Sequence, residues 1–265
     1  MNVFNFNSAI VRLPGNSVVN GLRAIQGPPP VFERVQAEHA AYIEALRGAG
    51  VHVTVLDPLE QFPDSIFVED PALVFSEAAV LLRPGAPSRL PEAEELAPSL
   101  ANRFPALLRL GEGHADGGDI LMTSKGAFIG LSARTDAVGA KALQALFDQL
   151  GIASKVVDTP RGTLHLKSDC SLVDEETVLA TDGLAGSGLF DGFRMLVVPR
   201  EERAAANAIR VNHVVLARAG CPRTLDLLAT HGLTVVALPV SEVAKIDAGL
   251  SCMSLRWFDG RNRLT

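Results

Sequence analysis

Hairpin, helix, strand: this order of segments returns along the chain at intervals of roughly 35 to 55 residues, the range of a modular architecture, and it limits the fold more than any other feature. Residues 65–82 read as two strand-like runs, 90–104 as a helix and 106–110 as a strand. Two more strands over 119–132 turn at Ser124-Lys125-Gly126, followed by a helix over 135–150 that Gly151 closes and a strand over 154–157. Residues 171–180 and 194–198 look like a less regular version of the same unit. A hairpin over 207–217, a helix over 222–229 and a strand over 233–238 complete another. The repeated residues are not similar, so what recurs is pattern alone.

The two ends supply a fifth unit if the short strand at 8–13, stopped by Pro14, pairs with 254–258. Its remaining parts are a helix over 31–49, with Val31, Val35, Ala41, Ile43 and Leu46 apolar and Gly50 as its stop, and the alternating strand 51–56. That pairing closes the modules into a ring and leaves few sheet edges exposed. No composition shift marks an internal linker, so one domain over 1–265 is expected. At 48% hydrophobic and 20% charged, the chain suits a soluble globule with a substantial core. A net charge of −6 gives no support for a nucleic-acid or membrane partner. No run approaches a membrane span, and the opening residues lack the basic and apolar regions of a signal peptide. Cys170, Cys221 and Cys252 are too scattered for a disulfide framework or a zinc pattern, which points to reduced thiols in the cytoplasm.

Four constellations and one cysteine can carry chemistry. Asp64, Glu69 and Asp70 fall within seven residues around an apolar Ile-Phe-Val run. In an extended segment Asp64 and Asp70 share one face and Glu69 takes the other. Acids converging on a pocket suit a guanidinium or ammonium group, and a solvated strand end explains them as well. Arg83-Pro84-Gly85-Ala86-Pro87-Ser88-Arg89 is a stiff loop that can hold an arginine rigidly, although surface arginines need no such reason. In His114-Ala115-Asp116-Gly117-Gly118-Asp119 the glycines allow close backbone approach at a strand entry. With His165 these residues raise the possibility of a metal, but the spacing matches no metal motif. His165 sits between two leucines, as a base in an apolar pocket or a core histidine does. Cys252, preceded by Gly249, is a nucleophile or a buried structural thiol. Cys170 competes for that role, but five residues of irregular chain tend to carry it away from His165. His39, His52, His213 and His231 read as structural, with His213 in a strand.

The combination decides between these readings. Pro63-Asp64-Ser65-Ile66-Phe67-Val68-Glu69-Asp70, the loop 83–89, Asp116-Gly117-Gly118-Asp119, Gly130-Leu131-Ser132-Ala133-Arg134-Thr135, Leu164-His165-Leu166-Lys167 and Gly249-Leu250-Ser251-Cys252-Met253-Ser254 occur in one order. Together they closely resemble the dimethylarginine dimethylaminohydrolase family of the guanidino-modifying (pentein) superfamily, over residues 10–258. The resemblance implies an α/β fold, a five-bladed propeller of ββαβ modules around a channel. It implies Cys252 as nucleophile, His165 as general acid and then base, and Asp116 as the carboxylate that orients His165 and the guanidinium. Asp70, supported by Glu69, would hold the guanidinium nitrogens. Arg89 and Arg134 would clamp the α-carboxylate, while Asp64 and the Leu22 carbonyl would take the α-amino group. The backbone at Ile246 would line the pocket, and loop 14–30 would be a lid.

The implied reaction is hydrolysis of Nω-methylated L-arginine to citrulline and an alkylamine, with no cofactor and no metal, in a protein that forms either monomers or homodimers. Three alternatives stay open. An arginine deiminase-type enzyme generally carries a helical domain for which this chain is too short. A non-catalytic propeller has no need of Cys252, His165 and Asp116 together. A metal-dependent hydrolase would use His114, Asp116 and His165.

Overall fold

The computed structural model describes residues 3–24 and 27–261. β1 (Ser8–Arg12), α1 (Phe32–Gly48) and β2 (His52–Leu56) come first. β3 (Ala72–Val74), β4 (Ala78–Leu81), α2 (Glu92–Ala101) and β5 (Ala106–Arg109) form the first uninterrupted ββαβ unit. The next holds β6 (Ile120–Thr123), β7 (Gly126–Leu131), α3 (Ala137–Gln149) and β8 (Ser154–Asp158). A third follows with β9 (Cys170–Asp174), β10 (Thr177–Ala180), α4 (Asp182–Ala185) and β11 (Arg194–Val197). A fourth has β12 (Ile209–Val211), β13 (Val214–Arg218), α5 (Pro222–Thr230) and β14 (Thr234–Leu238). β15 (Leu255–Trp257) is the last strand among the described residues.

Each unit folds its strands into a separate three-stranded sheet. The first two strands pair antiparallel, and the third lies parallel to the middle one. A short turn suffices for the antiparallel pair, whereas a parallel neighbour needs a crossover, which each helix helps to supply. The remaining sheet is assembled from the two chain ends: β15 pairs antiparallel with β1, Ala9 opposite Arg256, and β1 runs parallel to β2. The ring therefore closes through backbone hydrogen bonds, as the end pairing predicts, and the fold is the five-module α/β propeller.

Middle strands β1, β4 and β10 are buried at every residue, while β5 and β11 are only partly covered. A strand paired along both edges and covered on both faces reads as a continuous apolar run instead of an alternation, as in Ala-Ala-Val-Leu at 78–81. α1 turns Val35, Tyr42, Ile43 and Leu46 inward and ends at Gly48, two residues before Gly50, whose φ of 86° a side chain would resist. α3 is capped by Asp136, which accepts from the Gly139 amide. Apolar clusters fill the gaps between units; one gathers Ile10, Val68, Leu81, Leu96, Leu100 and Trp257. Each such fully buried side chain stabilises the fold by on the order of 1.5–3 kcal/mol.

Two expectations need correction. Residues 65–70 are not extended: Ser65 N donates to Phe62 O, Phe67 N to Asp64 O and Asp70 N to Phe67 O, a run of tight turns. Arg89 fixes this coil by donating from Nη2 to the carbonyls of Asp64 and Phe67. Asp64 and Asp70 therefore do not share a strand face. His213 lies in the turn between β12 and β13, beside Asn212 with φ of 55°, and not in a strand.

Candidate active site

Every unit of the ring contributes the segment that enters its first strand, and these segments are the ones that bear the chemical groups. Glu69 and Asp70 precede β3, Asp116 to Asp119 precede β6, and His165 to Lys167 precede β9. Asn207 precedes β12, and Cys252 precedes β15. The ring brings residues more than 180 positions apart into contact, for Glu69 N donates to Cys252 O at 3.2 Å.

Cys252 lies in a 3-10 turn (Ser251–Met253) and is only 7% exposed. The turn is held by Asn207, whose Oδ1 accepts from Ser251 N at 3.0 Å while Nδ2 donates to Lys167 O and to Ser251 Oγ. A Cβ on Gly249 would come within 2.5 Å of that amide, so the approach requires glycine. Burial, and after it the charges of Asp70 and Glu69, push the thiol up to about 12, with the Gly249 amide acting in the opposite sense. Cys170 is also buried, and its thiol bonds to the Leu166 carbonyl at 3.4 Å.

His165 is 8% exposed and pairs through Nε2 with Asp116 Oδ2 at 3.0 Å. Asp116 is fixed in turn: its Oδ1 accepts from Gly85 N at 2.7 Å and its amide donates to Thr135 Oγ1 at 3.1 Å. Gly118 lies against the imidazole, where a Cβ would approach the ring atoms to 2.7 Å. Burial by itself lowers the imidazole pKa, but Asp70, Asp116 and Asp119 outweigh it and hold the group at about 9. The ring is thus an imidazolium at neutral pH, donating to Asp116.

Asp70 accepts from Arg89, and its Oδ1 is buried without a partner among the described residues. Glu69 Oε1 takes both Lys167 Nζ, at 2.6 Å, and Arg256 Nη2, at 3.2 Å, while its Oε2 is likewise unmatched. Two buried carboxylate oxygens without donors are an incomplete arrangement that a cation carrying N–H groups would complete. Residues from all five units, including Glu69, Lys167 and Arg256, also line a central cavity of about 400 Å³. Cys252, His165 and Asp116 do not line that cavity.

The amino-acid end of the expected pocket is only partly as the resemblance implies. Leu22 N donates to Asp64 Oδ1 at 3.0 Å, and a Cβ on Gly21 would meet both Ile246 and Asp64, so these residues adjoin. Burial raises the Asp64 carboxyl, against the pull of Arg89 and Arg134. Arg134 is half-buried, with its backbone packed on Gly85. Arg89 is almost wholly engaged: Nε and Nη2 donate to Glu92, Nη2 also to two carbonyls, and Nη1 to Asp70. Of its five N–H groups, one on Nη1 is left for a ligand.

Donor atoms of Asp70, Asp116 and His165 lie within 4.8 Å of one another. In this structure the Nε2 of that histidine is engaged by Asp116 at 3.0 Å. His114, which the metal reading needs, pairs with Asp136 at 3.2 Å at the exposed N-terminus of α3. Asp119, Asn207 and Arg256 have no role in the sequence reading. Asp119 was visible within its Gly-Gly-Asp segment, whereas no local signal marks the other two.

A family model described as N,N dimethylarginine dimethylhydrolase, eukaryotic, matches residues 30–185. The N(G),N(G)-dimethylarginine dimethylaminohydrolase of Pseudomonas aeruginosa is 39% identical over 254 residues, covering 95% of this chain and 100% of that protein. The enzyme of the same name from Streptomyces coelicolor is 33% identical, covering 94% and 96%. The solved structure of the Pseudomonas aeruginosa enzyme, a cysteine-to-serine mutant complexed with citrulline, superposes with a TM-score of 0.92 at 38% identity over 96% of this chain and all of that one. With fold, ordered motifs and overall sequence in agreement along nearly its whole length, this chain belongs to the dimethylarginine dimethylaminohydrolase family.

Proposed function

We propose that the protein hydrolyses asymmetric dimethylarginine and monomethylarginine to citrulline and an alkylamine, with Cys252 as nucleophile. One observation carries the reading: the buried thiol of Cys252 lies beside Asp70 and Glu69, whose unmatched oxygens call for a cation. A bound guanidinium neutralises the charges that keep the thiol protonated, and the proton leaves to solvent. The thiolate attacks the guanidinium carbon. His165, already an imidazolium, protonates the departing amine as the C–N bond breaks. A cationic thiouronium remains on Cys252, and neutral His165 then takes a proton from water as hydroxide adds to the same carbon. Collapse breaks the C–S bond, releasing citrulline and the thiolate, and the freed amine takes up the last proton in solution. Asp116 accepts from Nε2 and so fixes the orientation of the ring throughout.

Asp64 and the Leu22 backbone are assigned to the α-amino group, Arg134 and the spare N–H of Arg89 to the carboxylate, and the Ile246 backbone to the pocket wall. The chain is read as one catalytic domain, since every unit supplies part of the site. Three buried free cysteines favour a reducing cytoplasmic setting, and among the described residues no helix is long and apolar enough to cross a membrane. Whether it works as a homodimer is read from its mass in solution. The test of substrate is kcat/KM for five compounds under one condition. The expected order is asymmetric dimethyl- or monomethylarginine, then arginine, then agmatine, with symmetric dimethylarginine rejected because its second methyl lies where the carboxylates bind. Arginine outperforming both methylated forms would place the protein among the deiminases.

A further inference from the structure

We propose that Asp119 is a positioning residue for this hydrolysis: one buried carboxylate that holds the His165, Asp116 and Arg134 segments in register. The proposal rests on the hydrolase reading above. Asp119 is 0% exposed. Its Oδ1 accepts from Leu166 N at 2.8 Å, one residue beyond His165. Its Oδ2 accepts from Ser132 Oγ at 2.6 Å and Thr135 Oγ1 at 2.7 Å. Both hydroxyls pass the connection on. Thr135 Oγ1 accepts the Asp116 amide at 3.1 Å, and Ser132 Oγ accepts the amides of Arg134 and Thr135 at 3.0 and 3.2 Å.

The arrangement demands a carboxylate. Both lone pairs of Ser132 Oγ are taken by backbone amides, so its single proton must point at Asp119. Leu166 N–H and Thr135 O–H also point there, so three donors converge on two oxygens that can only accept. An asparagine would turn its NH₂ towards either Leu166 N–H or the Ser132 hydroxyl, donor against donor. Room for the contact comes from Gly130, where a Cβ would lie 2.9 Å from Leu166 Cβ and 3.4 Å from Asp119 Oδ1. Three groups assigned to acid–base chemistry, orientation and carboxylate binding thus depend on one side chain that touches no substrate.

The test compares Asp119→Asn, Thr135→Val and Ser132→Ala with the wild type in three readouts: thermal midpoint, kcat and KM on asymmetric dimethylarginine, and titration of the His165 ring by NMR. A displacement of catalytic groups by about 1 Å costs on the order of 100-fold in rate. Asp119→Asn should lose kcat on that scale and move the His165 titration to lower pH. Thr135→Val should lower kcat while leaving that titration in place, because the Asp119 charge survives. Ser132→Ala should act chiefly on KM through Arg134. A folded Asp119→Asn with wild-type kcat/KM and an unmoved titration would overturn the proposal. If that variant does not fold, wild-type kcat and KM in both hydroxyl variants would overturn it equally. A wild-type protein inactive on all five guanidino compounds would instead sink the hydrolase reading, a separately visible outcome.

Discussion

Cys252 and His165 both start with their proton in place, the thiol held by burial and then by Asp70 and Glu69, the imidazole by Asp70, Asp116 and Asp119. Asp70 raises the thiol and the imidazole together, so the empty site holds a neutral thiol beside an imidazolium. A cation seated on the carboxylates reverses the thiol's balance but leaves His165 its partner Asp116. Turnover is therefore expected to vanish in Cys252→Ser and to survive largely intact in Cys170→Ser and Cys221→Ser. Mass spectrometry of a trapped intermediate checks the assignment: a substrate-derived adduct on Cys170 would move the nucleophile there. The Cys170 thiol is buried and bonded to its own segment's Leu166 carbonyl.

At the scale of elements, the coil over 64–70 is the part that depends most on a distant residue. Its carbonyls at Asp64 and Phe67 and its carboxylate at Asp70 all receive donors from Arg89, which Glu92 holds from the other side. Removing one partner of a buried ion network leaves uncompensated charge and costs about 3–5 kcal/mol. Arg89→Met should lose stability on that scale in urea titrations and raise KM as well, since Asp70 and Asp64 lose their frame. A raised KM with unchanged stability would mean that Arg89 serves the ligand alone. The turn at Cys252 is likewise short and irregular, and Asn207 fixes it from another unit.

For the whole molecule, two histidines pull the stability curve in opposite directions. His165, held at about 9, stabilises the fold below the ordinary histidine value near 6.5, and that contribution fades as pH rises from there through 9. His39 is 1% exposed in α1, its Nε2 has no partner among the described residues, and burial holds it near 4. Its neutral form suits the fold, so stability is full above about 6.5 and is lost as pH falls towards 4, by roughly 3 kcal/mol. His39→Met should unfold at lower pH than the wild type while matching it near pH 7.5. Coincident acid limbs in chemical denaturation would exclude His39 as the cause.

Much of this molecule is written locally. The alternation of apolar segments gave the modular order, and Gly50 and Pro14 marked ends that the structure keeps within a residue or two. Ring closure was legible as a condition, a fifth unit if strand 8–13 paired with 254–258, and β1 does pair with β15. The ordered motifs named the chemical groups, since residue type and sequence order survive in the chain itself. Tertiary structure alone decided how those groups are held. Periodicity reports which side of an element meets the core, but it carries no record of a side chain bonding to backbone 44 positions away, as Asn207 does at Ser251. Nor could it show that Arg89 would be engaged on nearly every N–H, or that Asp119 would receive three donors. The turns at 65–70 escaped for the same reason: an apolar Ile-Phe-Val run favours a strand by propensity, and carbonyl bonds from a remote arginine override it.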